Sequence, residues 1–96
     1  KSIRKQENLI KMIRYKINLT KRAKKQLDKM SDSIAFPILT AIENLAENRM
    51  PLGYKKLKGR KGYRIRVGNY RVIYEIFDEV LLIEVIDLGH RKDIYD

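Results

Sequence analysis

Arg64, Arg66 and Arg71 are the side chains of this sequence best suited to chemistry. They lie in Tyr63-Arg64-Ile65-Arg66-Val67-Gly68-Asn69-Tyr70-Arg71-Val72-Ile73-Tyr74, where two alternating runs of β-branched and aromatic residues flank a Gly-Asn pair. That pattern predicts a β-hairpin closed by a two-residue turn. In its register Val67 faces Tyr70 and Arg66 faces Arg71. Side chains alternate faces along a strand, so all three arginines share one face. Like charges directly opposite in a sheet destabilise it. Folding gains nothing from this arrangement, whereas a phosphate-binding surface does, because guanidinium forks match phosphate oxygens.

His90, Arg91 and Tyr95 follow the last apolar run and are expected to converge on the same place. Arginine stays protonated and is a poor general base. It suits the negative charge that grows on a phosphate in a transition state. Histidine exchanges protons near neutrality, and surrounding cations favour the ionised form of a tyrosine. Such a set fits RNA cleavage without a metal, in which the ribose 2′-hydroxyl attacks the adjacent phosphate. DNA lacks that hydroxyl. Each arginine taken alone is a solvated surface charge, and it is the clustering that favours function. His90 alone reads as a surface residue. Tyr95 fits a catalytic role and a sheet-capping role equally. The run Lys55, Lys56, Lys58, Arg60, Lys61 reads as a solvated basic loop that also tracks RNA phosphates.

The 96 residues bound a single domain with a modest core. An apolar fraction of 44% is ordinary for a globular chain and argues against disorder. Lysine and arginine number 22 against 12 acids, a formal charge of +10, which suits nucleic acid, an acidic protein or an anionic surface. The absence of cysteine excludes disulfides and thiolate metal sites, and a single histidine disfavours a protein-only zinc site. No metal and no cofactor is expected. No apolar run approaches the roughly 18 residues of a membrane span, and the charged start does not resemble a signal peptide. The expected compartment is the cytoplasm, without a membrane partner.

Residues 1–11 read as an N-terminal extension and residues 12–96 as the domain. Ile13 to Leu19 alternates as a half-buried strand. Thr20 is a helix N-cap, and Ala23, Leu27 and Met30 make Lys21 to Met30 an amphipathic helix with a basic outer face. Ser31-Asp32-Ser33 breaks the chain. Ile34, Ile38, Ile42 and Leu45 then stripe a second helix ending near Asn48, with Pro37 in or near its first turn. The two helices form an antiparallel hairpin. Strands follow at Tyr63 to Val67, Tyr70 to Phe77 and, after an Asp78-Glu79 turn, Val80 to Leu88, which Gly89 ends. The fold is α+β: a strand, a helical hairpin and a three-stranded antiparallel meander, in one sheet packed on the helices.

Extending the hairpin register places Arg71 near Ile86 and Tyr74 near Ile83. One sheet face then holds Tyr63, Ile65, Val67, Val72, Tyr74, Ile76, Leu81, Ile83 and Val85 and packs on the helices. The other mixes Arg64, Arg66, Arg71, Glu75 and Glu84 with Ile73, Phe77, Leu82 and Ile86. The last strand delivers His90, Arg91 and Tyr95 toward Arg66 and Arg71.

From Met12 to Tyr95 the sequence resembles the RelE/ParE toxin superfamily of prokaryotic toxin–antitoxin modules. The resemblance rests on the block PLGYKKLKGRKGYRIRVGNYRVIYEI and the closing GHRKDIY, in that order after two helices. It implies a ribosome-dependent endoribonuclease, an mRNA interferase that cuts message in the decoding site, held in check by an acidic amphipathic antitoxin. By motif position it implies phosphate-stabilising roles for Arg64, Arg66, Arg71 and Arg91, and a catalytic Tyr95. The best-known members carry lysines at the positions of Arg64 and Arg66. Arginines there keep the phosphate stabilisation but remove a lysine base, so the base role passes to His90 or Tyr95. The alternative within the superfamily is a ParE-type inhibitor of DNA gyrase with no nuclease activity.

Overall fold

The computed structural model describes residues 14–90, so the expectations for residues 1–13, and those for Arg91 and Tyr95, lie outside the described residues. The chain runs β1 (Lys16–Leu19), α1 (Lys21–Asp28), α2 (Asp32–Leu45), β2 (Lys55–Lys56), β3 (Tyr63–Val67), β4 (Tyr70–Phe77) and β5 (Leu82–His90). The strands form one sheet in the order β1-β5-β4-β3-β2. β1 lies parallel to β5, and every other neighbouring pair is antiparallel. This is the expected strand, helical pair and meander with one addition. Lys55 and Lys56, expected in a loop, form a short edge strand on β3. No helix of the described residues is long and apolar enough to cross a membrane.

The helices bury the stripes their sequences carry. Ala23 of α1 and Ile38, Ile42 and Leu45 of α2 join Ile65, Val72, Tyr74, Ile83, Val85 and Leu88 in one core, with Ile34, Leu27 and Met30 partly buried against it. α1 starts because Thr20 Oγ1 accepts a hydrogen bond from the Ala23 amide at 3.1 Å, an N-cap as expected. α2 starts earlier than its apolar stripe, at Asp32, so Pro37 falls in the second turn. There it leaves the Ser33 carbonyl without the amide a helix would supply.

The largest departure from the expected register lies between β4 and β5. Tyr74 pairs with Val85, but Ile73 pairs with Asp87 and Arg71 with Gly89. Ile86 is the extra residue of a β-bulge, and beyond it the parity of β5 reverses, so Leu88 joins Ile83 and Val85 in the helix-side core. The cause is the helix beside the strand. β1 covers the outer edge of β5 only from Leu82 to Val85. Past that point α1 takes over. Thr20 Oγ1 donates to the Ile86 carbonyl at 3.0 Å, and Gln26 Oε1 accepts from the Leu88 amide at 2.7 Å. Gln26 Nε2 and Arg22 Nε donate to the Asp87 carboxylate at 2.7 and 3.2 Å. The sheet edge is therefore sealed by side chains where no strand reaches it. β5 also continues through Gly89 to His90 instead of ending at Leu88.

Leu81, expected on the apolar face, instead closes the β4–β5 connection. It follows a short 3₁₀ turn with φ 50° and ψ 54° and is 42% exposed. A leucine in the left-handed region is strained. Its carbonyl accepts from the Lys16 amide at 2.8 Å, which fixes the start of β1 to this turn. The Tyr15 hydroxyl donates to Asp78 of the same turn, while Arg49 lies over the Tyr15 ring at 5.5 Å and pairs with Asp78 at 3.3 Å.

Thr20→Ala removes both the α1 cap and a bond to the bulge. It is expected to lower stability by about 1–2 kcal/mol, read as a lower urea midpoint at unchanged slope. Ser31→Ala, at a helix start where the side chain makes no cap bond, is expected to stay within about 0.5 kcal/mol.

Candidate functional site

The β3–β4 hairpin has the expected register: Val67 pairs with Tyr70 and Arg66 with Arg71. Gly68 takes a φ of 60° while Asn69 stays at negative φ, the signature of a type II′ turn. Ile65, Val67, Val72 and Tyr74 all belong to the helix-side core. Alternation therefore sets Arg64, Arg66 and Arg71 together on the opposite face, with Arg66 and Arg71 roughly 5 Å apart at Cβ.

The three arginines differ in how far they are presented. Arg64 is 2% exposed, Arg71 is half-buried and Arg66 is exposed. Arg64 pairs with Ile73, and fully buried Ile73 packs with Leu57 in a second small core on this face. Leu57 is held by its amide bond to the Gly62 carbonyl at 3.0 Å. Gly62 sits at φ 117°, and a Cβ there would come within 3.1 Å of the Tyr74 carbonyl, so the loop returns to β3 only with glycine at this point. Leu57 carries the signal of this support in the sequence. It is the one apolar residue among Lys55, Lys56, Lys58, Arg60 and Lys61.

These five basic residues do not form one loop. Lys55 pairs with Arg64 and so joins the arginine face, while Lys56 pairs with Tyr63 and points the other way. Lys58, Arg60 and Lys61 are exposed in the connection that follows. At the far end of the same face Glu75 pairs with Glu84, which accepts from Asn18 Nδ2 at 3.0 Å. The face is polarised, cationic at the hairpin turn and anionic toward β1.

His90 departs from its expected place. The bulge at Ile86 reverses the parity of β5, so His90 pairs with Tyr70 and stands on the helix side of the sheet. Its ring meets Tyr70 edge-on at 5.5 Å, beside Ser33, Ile34 and Pro37 of α2. The sheet separates it from Arg66 and Arg71. The tyrosines whose hydroxyls the fold perturbs are structural. The bond Tyr15 donates to Asp78, with burial, holds its phenol above the usual range, and burial does the same to Tyr74, which donates to the Arg49 carbonyl at 2.7 Å. Tyr63 lies between the Tyr54 and Tyr74 rings at 6.0 and 5.9 Å.

A fold of this topology, with a cationic hairpin opposite a helical pair, matches one group of known proteins. The family model for the ParE toxin of type II toxin–antitoxin systems matches residues 17–95. The chain belongs to that family, within the RelE/ParE superfamily. The toxin RelE3 of Methanocaldococcus jannaschii is 44% identical over 50 residues, a match spanning 51% of this chain and 54% of that protein. The RelBE2 toxin–antitoxin complex of Mycobacterium tuberculosis is similar in structure, with a TM-score of 0.74 and 26% identity over 84% of this chain and 95% of that one. The RelB–RelE complex of Methanococcus jannaschii is 34% identical over 82% and 95% of the two chains, with a TM-score of 0.65.

Arg66→Gln removes one member of the like-charged pair. It is expected to raise stability by a few tenths of a kcal/mol at low salt, a gain that fades as salt screens the pair. Urea unfolding at low and high salt checks this.

Proposed function

We propose that this protein is a ribosome-dependent endoribonuclease that cuts messenger RNA by attack of a ribose 2′-hydroxyl on the adjacent phosphate. The observation that carries the proposal is the Arg66–Arg71 pair on the face that also holds Arg64. In the reaction the 2′-oxygen bonds to phosphorus and the bond to the 5′-oxygen breaks. The products are a 2′,3′-cyclic phosphate and a 5′-hydroxyl. Negative charge grows on the phosphorane oxygens, where Arg66 and Arg71 stabilise it without proton transfer. Arg64, nearly buried, acts as a positioning residue for its neighbours. Arg91 adds to the cationic set, and Tyr95, in its ionised form, takes the 2′-proton while the leaving 5′-oxygen takes a proton from water. The chemistry needs no metal. Lys55, Lys58, Arg60 and Lys61 hold the RNA backbone, and Lys56 contacts it from the edge.

The partner in the resting state is an acidic antitoxin. The similar structures of the M. tuberculosis and M. jannaschii proteins are toxin–antitoxin complexes, and a chain of +10 suits an anionic wrapping segment. A second reading, a ParE-type inhibitor of DNA gyrase, draws its support from the family model that matches residues 17–95. The cation-bearing hairpin favours the nuclease.

Mapping of 5′ ends on a defined message in a purified translation system separates the two. Cuts within codons that require ribosomes, and that fall about 10²–10³-fold in rate for Arg71→Ala, are expected. An uncut message would transfer the proposal to gyrase inhibition, read next in a supercoiling assay. In the same system Tyr95→Phe is expected to slow cleavage by about 10²–10⁴-fold, whereas His90→Gln changes it by less than about threefold, because His90 sits behind the sheet. Equal losses in the two variants would overturn the assignment of Tyr95 as the base.

A further inference from the structure

β2 is only two residues long and covers β3 only at Tyr63 and Arg64. The edge of β3 from Ile65 to Val67 therefore has no strand beside it among the described residues. At this edge an open groove of about 460 Å³ lies between β3, α2 and residues 51–53. Its walls include Ala41, Pro51 and Ile65, its one uncharged polar side chain is Asn44, and Lys55, Arg64 and Arg66 line the same space. The volume falls in the range of roughly 300–1,000 Å³ typical of small-ligand sites. Asn44 is exposed, and none of the side-chain hydrogen bonds among the described residues involves its carboxamide.

Apolar walls, one uncommitted amide and a cluster of cations match the three parts of a nucleotide: a base face, a base edge and a phosphate. A site for phosphate alone would have no use for the apolar walls. A groove for an apolar peptide would not gather three cations. Arg66 belongs both to this groove and to the pair with Arg71, so the groove adjoins the face assigned to the reacting phosphate. We propose that the groove binds the nucleotide flanking the scissile phosphate, with Asn44 reading its base. This rests on the nuclease reading above. A carboxamide meets adenine bidentately, accepting from its amino group and donating to a ring nitrogen, and an unpaired RNA base offers such edges freely. Adenine is therefore the preferred base. Leu52, fully exposed on the rim, supplies further apolar surface for the ring to cover.

The test is an amide-resolved NMR titration of the full chain with the four ribonucleoside 5′-monophosphates and with inorganic phosphate. The adenosine nucleotide is expected to bind about tenfold more tightly than the others, shifting the amides of Ala41, Asn44, Gly53 and Ile65. Asn44→Ala, an exposed substitution, is expected to bring the four to near parity. Ala41→Leu, which fills the groove, is expected to abolish the base-dependent shifts and keep those from phosphate. The assignment is overturned if inorganic phosphate reproduces every shift, or if the adenine preference survives Asn44→Ala. In the translation system Asn44→Ala should redistribute cuts among codons, away from those that place adenine beside the cut. If the chain cuts no RNA, the nuclease reading fails while the titration still decides the groove. If it cuts and the titration shows no base preference, the groove assignment alone fails.

Discussion

The extra residue at Ile86 is the constraint on which the two-faced sheet depends. Without it, β4 and β5 would pair in uniform alternation, and Leu88 and His90 would stand on the arginine face. With it, Leu88 completes the core beneath α1 and His90 packs on Tyr70. The bulge is maintained from outside the sheet by Thr20 and Gln26, whose side chains satisfy the Ile86 carbonyl and the Leu88 amide that β1 is too short to reach. One threonine thereby both starts α1 and anchors the register of β5. A cap, an edge seal and the assignment of side chains to faces are a single hydrogen-bonded unit.

The cationic hairpin stands on that unit at a tolerable electrostatic penalty. Arg66 and Arg71 oppose each other, but Arg66 is exposed, where water and salt screen the repulsion. Arg64 is taken out of water almost wholly, and a guanidinium there must be held by its surroundings. Leu57 and Ile73 form the packed surface beside it, and Gly62 lets the loop approach β4 closely enough for Leu57 to reach. The face therefore has a buried base and an exposed tip. Arg64 sets the floor, and Arg66 is free to meet a ligand.

Much of this was readable in the residues. The β3–β4 hairpin follows from alternation around Gly68-Asn69, and the α2 stripe from Ile34, Ile38, Ile42 and Leu45, because both signals are local and periodic. The bulge left one local mark, the adjacent apolar pair Val85-Ile86 that shifts the alternation between Glu84 and Asp87. The residues that hold the irregularity, Thr20 and Gln26, lie some sixty positions away. The placement of His90 failed for the same reason, since a single added residue reverses every side chain after it. Leu81 offered no glycine or asparagine to mark its left-handed backbone. Asn44 was passed over because it flanks an apolar stripe, and only the folded edge of β3 shows what it stands beside.

A sheet is a suitable carrier for this kind of site. Adjacent strands fix their side chains at set spacings, so charges on β3 and β4 keep their geometry without a ligand to organise them. The repulsion accepted in the free protein is relieved when an anion arrives, and under the proposed function the counterions released from RNA would add to the driving force. The helix-side core makes this possible, because it holds β3 and β4 together more strongly than the arginines push them apart. An acidic partner seated on the same face would relieve the same repulsion, so under the proposed function substrate and antitoxin would compete for one store of electrostatic free energy. The neutral amide at Asn44 is what an anion alone cannot satisfy. It is the group on this edge through which a bound nucleotide would gain over any other negative charge.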